Sequence, residues 1–307
     1  MQSTVFALAE FRLYFICIAS LFNAVQGNNP SKQYYNELSC VPEAATPGRP
    51  LSYDCGFLSK LKDDKCYYKG EEYEPGQRLE TIDNECVQSC SCDLLPHNKK
   101  AYWTCIHEDC PEALSPQPCN RAVPLYSSTK SCCAQDHECD HANKIKQNDV
   151  TTCEYDGKQY LIGERIYTNS NRASKEDECK ICLCSQGFNG TLVEPWCRKY
   201  SCDIYLLYLS YIKGGCIPTY YHPDDCCPVP IFRCPKEADA VITPKNTIID
   251  ERNKDLTCKF GHLNLQIGQM LSSSNDTEIE CVECSCFVPP LPTCVMNDEC
   301  EKRRQGK

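Results

Sequence analysis

The first markedly apolar stretch of the chain predicts a signal peptide. Arg12 precedes an apolar run at 13–22, whose length suits the core of a secretory signal. Val25 and Gly27 are small enough for the −3 and −1 positions, so we place cleavage after Gly27. The alternative is an uncleaved anchor, but the run is too short to span a bilayer comfortably, and no later segment is apolar for long enough. We therefore predict that residues 1–27 are a signal peptide and that the rest of the chain is exported without a membrane span.

Tight-turn dipeptides between aromatic positions predict short β-hairpins farther along the chain. Asp156-Gly157 stands between Tyr155 and Tyr160. Glycine accepts the positive φ that a two-residue hairpin turn requires, so this dipeptide is a strong hairpin signal. Lys69-Gly70 is a weaker version of the same turn.

The spacing of the cysteines repeats, which predicts a series of similar modules. In two copies a long gap is followed by a C-x(2,3)-C-x-C cluster, twelve residues, a C-x4-C pair, a single cysteine, an adjacent pair and a closing cysteine. The first copy consists of Cys66, Cys86, Cys90, Cys92, Cys105, Cys110, Cys119, Cys132, Cys133 and Cys139. The second consists of Cys153, Cys179, Cys182, Cys184, Cys197, Cys202, Cys216, Cys226, Cys227 and Cys234. A third copy stops after six cysteines, which are Cys258, Cys281, Cys284, Cys286, Cys294 and Cys300.

Aromatic residues and glycines also keep their offsets from the first cysteine of each copy. In the first copy they are Tyr68, Gly70, Tyr73 and Gly76, with Arg78 beyond them, and in the second copy Tyr155, Gly157, Tyr160, Gly163 and Arg165. The third copy keeps only Phe260 and Gly268, and His262 stands where the others have a glycine. We expect each module to open with a hairpin whose aromatic side chains cover the disulfides of a small core.

An even number of cysteines in each predicted segment supports the module boundaries. The segments 28–65, 66–139, 153–234 and 258–300 hold two, ten, ten and six cysteines. The stretches 140–152 and 235–257 contain no cysteine and are polar, which predicts linkers, and 301–307 is a basic tail. We therefore predict an N-terminal segment, two complete modules and one partial module, arranged as beads on linkers.

Only part of the disulfide connectivity can be assigned from the sequence. Cys40 and Cys55 are the two cysteines of the N-terminal segment and are expected to bond to each other. Adjacent cysteines, as at 132–133 and 226–227, have Cα atoms about 3.8 Å apart, below the usual disulfide range of about 4.4–6.8 Å, so they should have different partners. Loss of Cys17 with the signal peptide leaves 28 cysteines, enough for up to fourteen bridges, and the other pairings stay open.

Composition and charge exclude several classes of function. The 29 cysteines in 307 residues are typical of a disulfide scaffold from an oxidising compartment. A net charge of −10 argues against nucleic-acid binding and against a general role at membrane surfaces. The acidity is compatible with a basic protein partner, although a solvated acidic surface is the simpler explanation.

No motif predicts catalysis, a cofactor or a metal site. None of the six histidines lies in an H-E-x-x-H motif, and no G-x-S-x-G nucleophile signature occurs, so we predict that the protein is not an enzyme. The C-x2-C pairs Cys179/Cys182 and Cys281/Cys284 could suit zinc or a redox-active dithiol. In an exported chain with an even number of cysteines in each module, structural disulfides explain these pairs better.

Two sequons predict N-linked glycosylation of an exported chain. They are Asn189-Gly190-Thr191 and Asn275-Asp276-Thr277, and each lies in a loop between cysteines. Asn189 and Asn275 are therefore the predicted acceptors.

A second apolar run, at 204–212, lies in a long loop between cysteines of the second copy. A module this small can hardly bury so many large side chains, so we predict that part of the run is an exposed patch for protein contacts. The alternative is that the run folds over the disulfides of its own module. The candidate partner-binding residues are Tyr205, Leu206, Leu207, Tyr208, Leu209, Tyr211 and Ile212.

The ordered combination of the C-x-C cluster, the C-x4-C pair and the adjacent Cys-Cys resembles the von Willebrand factor type C repeat. The resemblance covers 66–139 and 153–234 in full, but only the first half of a repeat in 258–300, and 28–65 resembles no family that we can name. It implies a small β-rich subdomain followed by an irregular one held by disulfides. Secreted proteins of the chordin and crossveinless type are similar to this chain and use such repeats to bind bone morphogenetic proteins and related growth factors. Other members of the family are matrix components.

Three functions are consistent with these features. The leading hypothesis is a secreted modulator of growth factors of the bone morphogenetic protein and TGF-β class, which binds through the two complete repeats and covers the receptor-binding surface of its ligand. The second is a structural or adhesive protein of the extracellular matrix. The third is a serine-protease inhibitor, because 258–300 is similar to pacifastin-type inhibitors, although its first gap of 22 residues is long for that pattern.

Overall fold

The computed structural model describes residues 31–43, 49–111, 119, 122–139, 152–168, 179–222, 225–245, 247–274, 276 and 279–305. The predicted signal peptide, Asn275 and nearly all of the predicted linker 140–152 lie outside these ranges.

The described chain consists mainly of short antiparallel hairpins, as expected for a disulfide-rich fold. The N-terminal segment and the first copy contain α1 (Ser31–Glu37), β1 (Val41–Glu43), β2 (Ser52–Asp54), a 3-10 turn (Gly56–Lys60), β3 (Cys66–Tyr68), β4 (Glu71–Tyr73), β5 (Val87–Leu94), β6 (Ala101–His107), β7 (Val123–Leu125) and β8 (Asp136–Glu138). The second copy contains β9 (Thr152–Tyr155), β10 (Lys158–Leu161), β11 (Arg165–Thr168), β12 (Lys180–Leu183), β13 (Cys197–Lys199), α2 (Ile204–Lys213), β14 (Ile217–Tyr220) and β15 (Val229–Arg233). The remaining elements are β16 (Val241–Ile242), a 3-10 turn (Glu251–Asn253), β17 (Thr257–Phe260), β18 (Leu263–Gln266), β19 (Met270–Leu271), β20 (Val282–Ser285), β21 (Thr293–Met296) and α3 (Asp298–Gln305).

Each copy opens with a two-residue hairpin, which confirms the prediction from the turn dipeptides. In the second copy Asp156 and Gly157 have φ values of 51° and 69°, so both central residues of the turn are left-handed. In the third copy only Gly261, the first central residue, has a positive φ, of 56°. A turn of the II′ kind needs glycine at that position alone, which explains why His262 is tolerated where the other copies have glycine.

A second turn recurs at the same offset in every copy and ties the hairpin to the C-x-C cluster. Its glycine has a φ close to 90° and donates its backbone N–H to the carbonyl of the fourth cysteine. The three bonds are Gly76 to Cys92 (2.7 Å), Gly163 to Cys184 (2.8 Å) and Gly268 to Cys286 (2.8 Å). The three copies therefore share a common first half.

Gly163 is expected to tolerate alanine less well than Gly76, although both have the same backbone conformation. Alanine is strained by about 1–2 kcal/mol at a φ near 90° in either place. At Gly163 the added Cβ would also lie 3.2 Å from Leu125 Cβ and from the Tyr126 carbonyl oxygen, whereas at Gly76 no atom lies within 4 Å. Urea denaturation should show Gly163→Ala to be less stable than Gly76→Ala by about 1–3 kcal/mol. If the two variants unfold at the same urea concentration, the close packing of Gly163 against Leu125 and Tyr126 of the first copy is contradicted.

Fourteen disulfides join 28 cysteines, and every bridge lies within one predicted segment. Both complete copies use the same order, in which the first cysteine bonds to the fourth, the second to the eighth, the third to the fifth, the sixth to the ninth and the seventh to the tenth. In the first copy these bridges are Cys66–Cys92, Cys86–Cys132, Cys90–Cys105, Cys110–Cys133 and Cys119–Cys139. In the second they are Cys153–Cys184, Cys179–Cys226, Cys182–Cys197, Cys202–Cys227 and Cys216–Cys234. Cys40 bonds to Cys55, and the adjacent cysteines have different partners, as expected.

The third copy keeps the pairings of the first half and replaces one long bridge. Cys258 bonds to Cys286 and Cys284 to Cys294, which are the first-to-fourth and third-to-fifth pairs. Cys281, whose equivalents bond to the eighth cysteine, bonds here to Cys300 at the start of α3. All six cysteines of the third copy are therefore paired, although this copy lacks the second half of a complete repeat.

The predicted beads on linkers are corrected by the structure, because the modules share a core. One hydrophobic cluster contains buried residues of the N-terminal segment, the first copy and the second copy, such as Tyr35, Trp103 and Ile204. Modules this small bury little apolar surface alone, so packing against one another stabilises all of them. The apolar loop of the second copy supplies the helix that fills this junction.

A six-stranded sheet joins the second copy to the third. Its strand order is β15-β14-β21-β20-β19-β16, and the β14–β21 pair is parallel, with Thr219 opposite Cys294. The segment predicted as the linker 235–257 supplies edge strand β16. This strand pairs with β19 of the third copy, so that part of the segment belongs to the sheet rather than to a free linker.

Polar contacts fasten the first copy to the second. The Glu85 carboxylate of the first copy lies between two guanidinium groups of the second copy. One of its oxygens is 3.4 Å from the Arg165 guanidinium, and the other accepts a hydrogen bond from the Arg198 guanidinium. All three side chains are largely buried. The Arg165 guanidinium also lies 3.7 Å from the centre of the Tyr126 ring.

None of the helices in the described ranges is both long enough and apolar enough to be a transmembrane segment.

Candidate interaction surface

The apolar run of the second copy forms helix α2, and most of its large side chains face inward. The helix packs against β3 and β6 of the first copy, and Tyr205 donates its hydroxyl to the Leu38 carbonyl at 3.0 Å. Tyr205, Leu206, Leu209 and Ile212 are buried. The prediction of these four as partner-binding residues is therefore corrected, because their contacts are to the protein itself.

The outer face of α2 keeps the other candidates accessible. Leu207 is 55% exposed and Tyr211 is 44% exposed, and the half-buried Tyr208 between them lies at a kink in the helix. The Tyr211 ring stacks on Phe232 with centroids 4.4 Å apart, and the Tyr208 ring lies 4.8 Å from the same phenylalanine. We call Leu207, Tyr208, Tyr211 and Phe232 the aromatic patch.

Phe232 is the member of the aromatic patch that sequence reasoning missed. It lies on β15 after the adjacent Cys226-Cys227 pair, and no apolar run marks it. The Cys202–Cys227 and Cys216–Cys234 bridges bring β15 beside α2. Only the disulfide connectivity, which spacing leaves open, could have placed this ring next to Tyr211.

The carboxyl-terminal end of α2 is anchored by Lys213. Its ammonium group donates to the carbonyl oxygens of Asp63 at 3.0 Å and Ala101 at 3.2 Å, and to that of Lys65. Burial lowers the pKa of Lys213 from 10.5 to about 8, and the neighbouring Asp63 and Asp64 oppose this shift. Lys213 holds the helix on the first copy and leaves the aromatic patch facing outward.

The amino-terminal end of α2 lies beside a cleft of about 980 Å³. The N-terminal segment and both complete copies line the cleft, with Glu37, Tyr68, Arg198 and Asp203 among its walls. Glu37 accepts hydrogen bonds from the backbone N–H groups of Cys202 and Ile204, the latter at 3.3 Å. The carboxylate of another segment thus accepts from the first N–H group of the helix and from the N–H of Cys202 just before it.

Two carboxylates lie at this end of the helix, of which Glu37 is partly buried and Asp203 is buried. Burial, with a smaller contribution from the nearby Asp203 carboxylate, raises the pKa of Glu37 from 4.5 to about 7. Burial also raises the pKa of Asp203, against hydrogen bonds from Asn84 and Ser201. In the described part of the chain, only neutral groups hydrogen-bond to either carboxylate.

The cysteines considered for metal or redox chemistry are bonded to other partners. Cys179 and Cys182 bond to Cys226 and Cys197, and the Cys281/Cys284 pair is likewise divided between two bridges. The sulfurs of Cys110, Cys132 and Cys133 lie within 4.8 Å of one another. Each belongs to a disulfide and is therefore not a thiolate ligand.

Asn189 is exposed in the loop that follows β12. Its side-chain oxygen accepts hydrogen bonds from the backbone N–H of Thr191 at 3.1 Å and from the hydroxyl of Thr191 at 2.6 Å. The sequon is thus on the surface, and glycosylation at Asn189 stays a prediction, as it does at Asn275.

No protein-family model matches the chain, and no solved structure matches it. The resemblance to von Willebrand factor type C repeats therefore rests on the cysteine order of the chain itself. The fourteen disulfides are compatible with an extracellular protein.

Proposed function

We propose that this protein is secreted, binds extracellular growth factors of the bone morphogenetic protein and TGF-β class, and modulates their signalling. The observation that carries the proposal is the aromatic patch, an uncharged and accessible surface on the second complete repeat. Tyrosine and phenylalanine are enriched at the centres of protein interfaces, because they bury a large area at a small loss of side-chain entropy.

Two further features support the proposal. The two ten-cysteine repeats have the same disulfide order, which fits the resemblance to repeats that bind growth factors. The net charge of −10 favours encounter with a basic ligand. The proposed mechanism is occlusion, in which the aromatic patch covers an apolar receptor-binding surface of the ligand.

Removing side chains of the patch is expected to weaken binding of the growth factor. The secreted, oxidised full-length protein would be immobilised and a panel of bone morphogenetic proteins and activins passed over it in surface plasmon resonance. At least one member should bind with a sub-micromolar Kd. Leu207→Ser and Tyr211→Ser should each raise that Kd by about tenfold or more, as expected for interface hot spots.

Tyr167→Ser is the matched control. Tyr167 is as exposed as Leu207, and its ring contacts Tyr200 at 5.9 Å, outside the aromatic patch. The control should leave the Kd unchanged. If no panel member binds, the growth-factor function is rejected in favour of a matrix or adhesive role. If all three variants bind like the wild type, a different surface makes the contact.

A further inference from the structure

Strand β6 of the first copy pairs with β5 along one edge, and no other described strand pairs with it. On β5, Cys90 and Cys92 make main-chain hydrogen bonds with the segment 76–79, on the side away from β6. Cys105 and Trp103 of β6 lie directly opposite them. In an antiparallel ladder, both residues of such a pair turn their N–H and C=O groups away from each other. The Cα atoms of Cys90 and Cys105, which are 4.1 Å apart, fit a pair of this kind.

Three residues of β6 therefore present main-chain groups at its outer edge, and they are Trp103, Cys105 and His107. His107 belongs to this set because the next N–H, that of Glu108, turns back to the Cys86 carbonyl at 2.8 Å. Within the described ranges, none of the six outward N–H and C=O groups has a hydrogen-bond partner. Unpaired groups along the edge of a strand are a template for pairing with another strand.

The side chains along this edge do not protect it. Thr104 and His107 are exposed, and Ile106 is 59% exposed. Edge strands that face solvent are commonly protected by lysine, by proline or by a covering segment. The stretch 103–107 contains neither lysine nor proline, and no described strand covers it. An edge of this kind indicates a partner strand.

The free edge ends at Ala101, whose main-chain groups are already bonded. Its N–H donates to the Asp63 carbonyl at 2.7 Å, and its carbonyl accepts from the Lys213 ammonium group at 3.2 Å. A partner strand can therefore pair with 103–107 but not with Ala101. Cys105 lies at the centre of this free stretch.

We propose that two molecules of this protein form a dimer, in which their β6 strands pair antiparallel across a two-fold axis at Cys105. The axis places Trp103 opposite His107 of the partner subunit and Cys105 opposite its own counterpart. Every free N–H of one edge then meets a free C=O of the other. An axis one residue earlier, at Thr104, would place His107 opposite Ala101, whose groups are not free.

Side chains and charges fit the same arrangement. Thr104 lies opposite Ile106 of the partner subunit, and β-branched side chains pack well on neighbouring strands. Glu108 and Asp109 follow the free stretch, so antiparallel pairing brings them towards the end of the partner strand that carries the Lys213 ammonium group. Parallel pairing would instead place the acidic ends of both strands together. Charge complementarity therefore favours the antiparallel dimer.

Sedimentation equilibrium of the secreted, oxidised full-length protein tests this proposal. The wild type should have the mass of two molecules at high concentration and dissociate on dilution, as expected for a small interface. Thr104→Lys/Ile106→Lys places like charges opposite each other across the axis and should raise the Kd of the dimer by about tenfold or more. Thr104→Lys/Ile106→Glu places opposite charges at the same positions and should return the Kd towards that of the wild type.

Tyr167→Lys is the matched control, because Tyr167 on β11 is 56% exposed and lies outside the free edge. It should leave the Kd of the dimer unchanged. The proposal is overturned if the wild type is monomeric at every concentration that its solubility allows, and this result requires no variant to fold. It is also overturned if Thr104→Lys/Ile106→Lys dimerises as the wild type does. If Thr104→Lys/Ile106→Glu dimerises no better than the variant with two lysines, the strands are not paired about Cys105.

Discussion

Replacing Tyr35 with alanine is expected to be among the most destabilising single changes in the protein. Tyr35 is completely buried, and its ring stacks on Tyr53 with centroids 4.4 Å apart. Its hydroxyl donates to the Val288 carbonyl and accepts from the Leu291 N–H at 2.9 Å, so the side chain bonds the N-terminal segment to the third copy. Tyr35→Ala should lower the free energy of unfolding by about 3–5 kcal/mol, the range for large aromatic residues in cores.

Two further variants separate the packing of Tyr35 from its hydrogen bonds. Tyr35→Phe keeps the ring and leaves the buried partners unsatisfied, so a loss of about 1–3 kcal/mol is expected. Tyr102→Ala, at an exposed position of β6, should change the stability by no more than about 0.5 kcal/mol. Urea denaturation followed by tryptophan fluorescence measures all three. If Tyr35→Ala is as stable as the wild type, the N-terminal segment is not part of the shared core.

Replacing Arg233 with methionine is expected to have an effect of similar size, for an electrostatic reason. Arg233 on β15 is 2% exposed and forms an ion pair with Asp239, which is also buried. Asp239 accepts only one other hydrogen bond in the described chain, from the Lys236 N–H at 2.7 Å. Removing the guanidinium leaves a buried carboxylate without its counter-ion, which should lower the free energy of unfolding by about 3–5 kcal/mol.

The double variant Arg233→Met/Asp239→Asn tests whether the unpaired charge causes that loss. Because it removes both charges, at least half of the stability lost in Arg233→Met should return. The control is Lys236→Met, which breaks the exposed ion pair with Asp276 and should change the stability by about 1 kcal/mol or less. If the double variant is no more stable than Arg233→Met, lost packing rather than charge is responsible.

The elements that the sequence predicts well are those that depend on short segments. The hairpin turns at 69–70 and 156–157 each have a glycine at the second central position, which accepts positive φ without strain. Separate partners for adjacent cysteines follow from the length of a peptide unit. These are constraints of local covalent geometry, and they operate whatever surrounds the segment.

The candidate surface was predicted only in part, because its helix has two faces with different surroundings. The composition of 204–212 identified an apolar run but could not tell which side chains the N-terminal segment and the first copy would cover. Leu207 and Tyr211 stay accessible because they point away from β6, while Leu209 and Ile212 point toward the shared core. Phe232 joins Tyr211 only because two disulfides bring β15 beside the helix.

The sequence by itself determined that this is a disulfide scaffold with two similar ten-cysteine units and a shorter third one. The spacing of the cysteines and their even number in each segment can be read from the chain without its fold. Only the tertiary structure decided that the units pack into one body, with Glu37 capping a distant helix and β14 paired to β21. Such contacts join residues far apart in the sequence, and their free energy comes from burying surfaces against each other. No single segment carries that information, so it becomes apparent only when the folded chain brings the surfaces together.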